Sequence, residues 1–271
     1  MMLRTLRLTA AESVKLFANP VLYVSLVLIA SAAVSGELAQ GIFGGQKETV
    51  WRNHHAIHLF AYGFRFGMAI ATLVLLVFSS MIFAGEFDRG TVKNLLTRPV
   101  TRTDVFAAKG VAVGALAAIL YGFTLTVSLA LALGMGELGP VWDDSMYLMW
   151  RDSDEILGHA RKAVLMGFLP FLAAGGLGIL VSNLTQSSGY AVAGALVLFL
   201  FGSLLLGEHP GLFLHHGTYP IRQLEIYARA GSTRWDPRME EGLLFLKVPL
   251  FYIAGFLPAA WAVFRSRDIT A

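Results

Sequence analysis

Cysteine is absent from the 271 residues, and charged residues are scarce. Without cysteine the chain can form no disulfide, no thiolate nucleophile and no cysteine-ligated metal site. Charged residues make up 14% of the sequence and hydrophobic residues 56%, whereas soluble domains carry about 25% charged residues. The formal net charge of +3 is too small to predict binding to nucleic acid. These deficits disfavour soluble classes and favour a membrane protein.

Motifs of enzymes and of ion-driven carriers are missing as well. No segment matches the phosphate-binding loop G-x-x-x-x-G-K-[ST], and the metalloprotease pair H-E-x-x-H does not occur. Secondary transporters generally place ionisable residues inside their spans, but no long apolar run has one at its middle. We therefore expect no catalytic residue and no cofactor in this chain.

Long uncharged runs predict an all-α, polytopic membrane protein with one transmembrane domain over residues 1–271. A helix rises 1.5 Å per residue, so about 20 apolar residues cross the hydrocarbon core. The fourth run is too long for one helix, and the polar segment at residues 182–189 divides it. Six spans result, at about residues 20–38, 64–85, 108–134, 162–182, 188–207 and 246–264.

Charge distribution predicts the orientation of these spans. Six crossings place both termini on one side, together with the connector of residues 86–107. That side carries ten Lys and Arg against five Asp and Glu, and the other side eleven against thirteen. Basic residues concentrate in short cytoplasmic loops. We expect a multi-pass protein of the inner or plasma membrane with both termini in the cytoplasm.

The first 19 residues predict an amphipathic helix that lies on the cytoplasmic face of the membrane and contacts lipid. Its apolar residues recur at steps of three and four, which places them on one helical face. A secretory signal and an ordinary basic flank are the alternatives. The residues of this face are Leu3, Leu6, Ala10, Val14 and Phe17.

A charged connector, AGEFDRGTVKNLLTRPVTR at residues 84–102, separates the second and third predicted spans. Pro99 lacks an N–H group to donate and must end any helix that precedes it. Thr101 and Asp104 have the spacing of a capping box, which predicts that a second helix begins there. The pattern indicates helix, break and helix beneath the membrane, with a solvated loop as the alternative.

The stretch GEFDRGTVKNLLTRPVTRTDVFAAK resembles the cytoplasmic signature of ABC type-2 permeases, the membrane subunits of one class of ABC exporters. The tail FRSRDIT is similar to the ending of that family, and the layout of six spans after an interfacial helix is similar too. In the connector the matching residues are Glu86, Gly90, Thr91, Leu95, Leu96, Pro99, Arg102 and Lys109.

This resemblance implies that the connector contains a coupling helix that binds a groove of a separate ATP-binding subunit, which holds ATP and Mg²⁺. It also implies a second permease copy or a sister permease, and an extracytoplasmic accessory protein is a further candidate partner. The chain would then be an export subunit rather than an enzyme. A membrane scaffold and an ATP-independent carrier are the alternatives. The implied partner-binding residues are Glu86, Phe87, Asp88, Arg89, Gly90, Thr91, Leu95, Leu96, Arg98, Pro99 and Arg102.

Polar residues in the third span are candidates for lining a substrate pathway, namely Tyr121, Thr124 and Ser128. Hydrogen bonds between helices, or to the preceding turn, are the favoured alternative. His54 and His58 have the i, i+4 spacing of metal ligands, but surface histidines are commoner, so we expect no metal site. The sequence does not indicate the class of substrate.

Overall fold

The computed structural model describes residues 2–43, 56–91, 101–138, 141–143, 148–206, 219–227 and 243–267. These residues form eight helices and one hairpin. The helices are α1 (Met2–Phe17), α2 (Pro20–Phe43), α3 (Ala56–Asp88), α4 (Arg102–Met135), α5 (Ser153–Leu184), α6 (Ser188–Leu206), α7 (Tyr219–Tyr227) and α8 (Leu243–Ser266).

Four of the described helices, α3, α4, α5 and α8, are long and apolar enough to cross a membrane. Helices α1 and α2 together would supply a fifth crossing, with a bend of 63° between them. Helix α6 is apolar as well, but its apolar stretch, Ser188–Gly202, is shorter than those of the four spans. The predicted class, a polytopic helical membrane protein, is confirmed, whereas the number of six spans stays a prediction.

Helices α3, α4 and α5 are longer than a bilayer requires. They contain 33, 34 and 32 residues, which corresponds to roughly 50 Å each. The hydrocarbon core measures about 30 Å. Their ends therefore extend into the polar boundary region, where charged side chains are tolerated.

A short antiparallel hairpin joins α4 to α5. Strand β1 (Val141–Asp143) pairs with β2 (Leu148–Arg151), and a bulge follows Val141. The sequence analysis assigned no strand here, because the two runs are too short to show a clear alternation. The hairpin lies outside the predicted spans and leaves the helical class unchanged.

Helix α3 lies at the centre of the bundle and packs against α2, α4, α5, α6 and α7. Helix α1 packs on α4, and α8 packs on α5. The core around α3 is filled by large side chains such as Phe64, Leu75 and Leu120, all fully buried. Because α3 contacts so many helices, a displacement of its C-terminal end, at Asp88, would be transmitted to most of the bundle.

Glycines permit two close contacts of α3. A Cβ on Gly67 would lie 2.7 Å from Cγ2 of Thr124 in α4, and a Cβ on Gly178 of α5 would lie 1.9 Å from Oγ of Ser79. Neither distance is compatible with a side chain larger than hydrogen. Small residues of this kind allow membrane helices to pack backbone against backbone.

Candidate functional site

The two ends of the connector lie at one end of the bundle, which we call the base. The base comprises residues 86–91 at the end of α3, residues 101–109 at the start of α4, and the parts of α1, α5, α6 and α8 that contact them. Residues 92–100 lie outside the described part of the chain. Of the predicted partner-binding residues, Leu95, Leu96, Arg98 and Pro99 fall in that gap.

Helix α3 ends in a Schellman motif that explains the glycine of the connector. Gly90 has a φ of 66°, in the left-handed region that glycine tolerates. The N–H of Thr91 donates to the carbonyl of Glu86, and the N–H of Gly90 donates to that of Phe87. The chain therefore leaves α3 in a defined direction.

Helix α4 begins with the capping box that the sequence predicts. The Asp104 N–H donates to Oγ1 of Thr101, and the Thr101 N–H donates to Oδ2 of Asp104, each over 3.2 Å. The box satisfies amide groups that have no partner within the helix. Both boundaries of the undescribed segment are thus fixed by local hydrogen bonds.

A buried ion-pair cluster joins the two ends of the connector to α1. The Lys109 Nζ lies 2.8 Å from Oε1 of Glu86 and 3.4 Å from Oε2 of Glu12. It also donates to the carbonyl oxygen of Ile82 over 2.8 Å. The Lys109 side chain is 2% exposed, and lysine is almost never buried without partners. The cluster holds α1, α3 and α4 together.

Lys15 completes this cluster from the exposed side. Its Nζ lies 2.7 Å from Oε1 of Glu12 and 3.5 Å from Oε1 of Glu86. Burial acts to raise the pKa of Glu12, but the charges of Lys109 and Lys15 outweigh it and hold the pKa below its usual value. Two lysines and two glutamates leave the cluster formally neutral, which limits the cost of burying it.

Arg102 connects the start of α4 to the end of α8. Its Nη1 donates to the carbonyl oxygens of Arg265 and Arg267 over 2.7 and 3.1 Å. The last carbonyls of a helix have no partner within the helix, and a cation beside them is favourable. The predicted site residue Arg102 therefore caps α8.

Arg267 makes a similar contact with the end of α5. Its Nη1 donates to the carbonyl oxygens of Asn183 and Thr185 over 2.9 and 3.0 Å. Its guanidinium carbon lies 4.0 Å from the ring centre of Phe87, a cation–π contact. Phe87 of the connector is thereby connected to α5 and α8.

Asp88 connects the connector to the start of α6. Its Oδ2 accepts a hydrogen bond from the hydroxyl of Ser188 over 2.6 Å and a longer one from the Ser188 N–H over 3.4 Å. Neighbouring Arg89 instead donates to the carbonyl of Gly85 in its own helix. Of the charged residues at the end of α3, Glu86 and Asp88 therefore bond to other helices.

Sequence reasoning missed several residues of the base. Lys109 was recognised in the family signature but not among the partner-binding residues, although it is the buried cation between Glu86 and Glu12. Ser188 bonds to a residue 100 positions away in the chain. Arg267 bonds to residues 84 and 82 positions away. Arg267 belongs to the tail that resembles the family ending, whereas only its position beside a span end indicated a role for Ser188.

The candidate pathway residues are packed between helices. The Tyr121 hydroxyl donates to the carbonyl of Val164 in α5, and the ring lies edge-on to Phe64. The Thr124 hydroxyl donates to the carbonyl of Leu120 one turn earlier. Ser128 is fully buried, and its hydroxyl has no hydrogen-bond partner among the described residues. A pathway along this face stays a prediction.

The candidate metal ligands are not assembled in the described part of the chain. His54 lies outside it, and Nδ1 of His58 lies 3.0 Å from the carbonyl oxygen of Glu225 in α7. Within the described ranges no three His, Asp or Glu residues could hold a metal ion.

A shallow apolar groove of about 450 Å³ opens between α2 and α4 and is lined by Leu26, Val27, Ala30, Ser31, Val34, Ser35 and Phe123.

A bundle of long apolar helices with charged residues gathered at its base defines the chain as a polytopic membrane protein. The family model described as "ABC-2 family transporter protein" matches residues 8–202. The chain belongs to this family, as the connector signature predicted. Its members are membrane transport subunits that generally pair with an ATP-binding cassette subunit.

Two proteins of Bacillus subtilis (strain 168) are similar to the chain. "Uncharacterized membrane protein YdbK" is 28% identical over 204 residues, which cover 72% of this chain and 76% of YdbK. "Uncharacterized protein YhcI" is 22% identical over 208 residues, which cover 73% of this chain and 64% of YhcI. The chain thus spans less than two thirds of YhcI. Neither name specifies a substrate.

Proposed function

We propose that the chain is the permease subunit of an ABC exporter and that it couples ATP hydrolysis in a separate subunit to movement of a substrate across the membrane. One structural observation carries the proposal. Both ends of the segment 92–100 are bonded, through Glu86, Phe87, Asp88 and Arg102, to α1, α4, α5, α6 and α8. A displacement of a segment anchored in this way can be transmitted to these helices.

Rigid anchoring is what coupling requires. A flexible loop would absorb a displacement, whereas a helix whose ends are fixed to the bundle transmits the rigid-body motion of a partner. The partner would bind ATP and Mg²⁺, and this chain would catalyse nothing. ATP can shift the permease between inward-facing and outward-facing states only if the complex binds ATP with different affinity in each state.

The position of α1 supports its placement on a membrane surface. Val14 and Phe17, from the apolar face of this helix, are exposed, while Glu12 is turned towards Lys109 in the protein. In water this arrangement would be unfavourable, because the exposed side is apolar. Against lipid it is favourable. The charge distribution is the basis on which we assign this surface, and both termini, to the cytoplasmic side.

The complete transporter would contain two permeases and two ATP-binding subunits in the inner or plasma membrane. Helices α2 and α6, with 24 and 19 residues, would provide the first and fifth of six spans. Export, rather than import, follows from the family resemblance. The second permease is either a copy of this chain or a sister permease, and an extracytoplasmic accessory protein remains a candidate partner.

Purification of the chain from its native membrane in mild detergent tests the proposal. We expect a stoichiometric ATP-binding subunit to co-purify, with vanadate-sensitive ATP hydrolysis. Glu86→Gln, at the anchored end of the connector, should reduce stimulation of that hydrolysis by the permease. The exposed Asp154→Asn, in the first turn of α5, should not. A pure chain without ATPase would reject the proposal in favour of a scaffold or a carrier.

A further inference from the structure

Helices α3 and α5 are in direct contact about two turns above the base. A Cβ on Gly178 would lie 2.8 Å from Cβ of Ser79 and 3.1 Å from the main-chain nitrogen of Ser80. Ser182, four residues further along α5, lies on the same helical face and is fully buried. Two small residues at this spacing let α5 reach the main chain of α3.

Ser182 uses this proximity to bond to the main chain of α3. Its Oγ accepts hydrogen bonds from the N–H groups of Phe83 and Ala84, each over 2.9 Å. In a regular helix each of these groups donates to the carbonyl four residues earlier. An acceptor from another helix shares these N–H groups with those carbonyls, so each helical bond is weaker and the segment depends on Ser182 as well as on its own ladder. Side chains that insert into the ladder are an established cause of bends in helices.

Lys109 contacts the same segment of α3 from α4. Its Nζ donates to the carbonyl of Ile82 over 2.8 Å and lies 5.2 Å from the ring centre of Phe83. In a regular helix the carbonyl of Ile82 would accept a hydrogen bond from the N–H of Glu86. Main-chain donors and acceptors within two successive residues of α3, Ile82 and Phe83, are therefore engaged by side chains of two different helices.

Two serines within α3 weaken the ladder of this segment further. The hydroxyl of Ser79 donates to the carbonyl of Leu76 over 3.2 Å, and that of Ser80 to the carbonyl of Val77 over 2.9 Å. Such back-bonding to the preceding turn often bends helices. The part of α3 further from the base is buried to the same degree, with Met68, Ala71 and Leu75 almost fully buried, so the segment from Ser79 onward differs from it in hydrogen bonding rather than in burial.

We infer that residues 79–86 of α3 form a hinge and that Ser182 is the positioning residue that stabilises it. A displacement of the connector would then bend the inner end of α3 at this point, while the outer part stays packed in the core. The inference deepens the proposed function and rests on it for the source of the displacement. The hydrogen bonds of Ser182 do not depend on that function.

Hydrogen–deuterium exchange of the full chain in lipid nanodiscs tests the hinge. Ser182→Ala removes the acceptor of two buried amides, so we expect exchange within residues 80–87 to become about tenfold faster, with residues 65–75 unchanged. Ser182→Thr keeps the acceptor oxygen and should restore the slow exchange. Ser31→Ala is the matched control, because the Ser31 hydroxyl donates to the carbonyl of Val27 within its own helix.

Unchanged or slower exchange in Ser182→Ala would overturn the inference, because the helical ladder would then be complete without Ser182. Equal acceleration along the whole of α3 would also overturn it, since Ser182 would then only stabilise the fold. These comparisons use the same peptide in each variant, so differences in water access between one part of α3 and another do not affect them.

A second arm compares the complex with its ATP-binding subunit without nucleotide and after trapping with vanadate. We expect exchange to differ by about threefold or more within residues 79–91 and to stay constant within residues 65–75. An even change along α3, or none despite measured ATP turnover, would overturn the hinge and leave the proposed function intact. If no ATPase binds, the proposed function fails, and the exchange of Ser182→Ala alone decides the hinge.

Discussion

The ammonium group of Lys109 lies 2.8 Å from the carboxylate of Glu86, and the lysine side chain is 2% exposed. Because Glu86 lies at the start of the connector and Lys109 lies in α4 just beyond its end, the pair holds the two flanks of the connector together. Glu12 joins the pair from α1. Both flanks of the connector are therefore attached to the same buried ion-pair cluster.

Removal of Lys109 should destabilise the protein more than removal of Lys15. Lys109→Met leaves Glu86 and Glu12 partly buried without their main cation, and breaking a buried pair costs about 3–5 kcal/mol. Lys15 is 60% exposed, and pairs of that kind contribute about 0–1 kcal/mol. The measurement is the free energy of unfolding in mixed micelles with increasing dodecyl sulfate. Similar losses in both variants would contradict this ranking.

The double variant Lys109→Met with Glu86→Gln isolates the pair itself. If the two groups stabilise each other, the double variant should be less destabilised than the sum of the two single variants, by about 0.5–3 kcal/mol. If the two losses of stability simply add, Lys109 stabilises the protein only through its contacts with Ile82 and Glu12.

Gly178→Ala should separate α3 from α5. The added methyl would meet Oγ and Cβ of Ser79 at 1.9 and 2.8 Å, and such overpacking costs about 1–3 kcal/mol. Gly114→Ala in α4 is the control, because a Cβ there meets nothing within 4 Å and alanine favours a helix. We expect unfolding at lower detergent concentration for Gly178→Ala only. Equal stability of the two variants would show that α3 and α5 can separate without cost.

Arg102→Met should loosen the last turn of α8. The guanidinium bonds to the carbonyls of Arg265 and Arg267, which have no other partner within the helix. We expect hydrogen exchange of residues 262–267 to become about tenfold faster. Arg89→Met is the matched control, since Arg89 donates to a carbonyl of its own helix. Unchanged exchange in Arg102→Met would show that this contact does not stabilise α8.

The helical class and the location of the base were accessible from sequence because both depend on local signals. Apolar runs indicate spans by length alone, and the capping box at Thr101 is a four-residue pattern. The contacts of Ser188 and Arg267 were not accessible, because each joins residues far apart in the chain. The groups involved, a serine hydroxyl and main-chain carbonyls, are too common to indicate a specific partner. A glycine within a span, such as Gly178, is typical of close helix packing, but its partner Ser79 depends on how the helices pack.

Helix α7 is held at the other end of α3, and a last prediction concerns this contact. Arg65 Nη1 lies 2.6 Å from Oε2 of Glu225, and the guanidinium lies against the rings of Tyr62 and Phe66. Arg65→Met should release α7 and expose Leu224, which is fully buried. Because the chain contains no cysteine, a single Leu224→Cys substitution provides a unique thiol to report this.

We expect the Leu224→Cys thiol to react with a water-soluble maleimide about tenfold faster when Arg65→Met is also present, because local opening then costs less. Arg222→Met is the control, since Arg222 is an exposed residue on the same helix. Equal reactivity with and without Arg65 would show that burial of Ile221 and Leu224 holds α7 in place by itself. A difference would identify the ion pair as the contact that must break before α7 can leave α3 and α5.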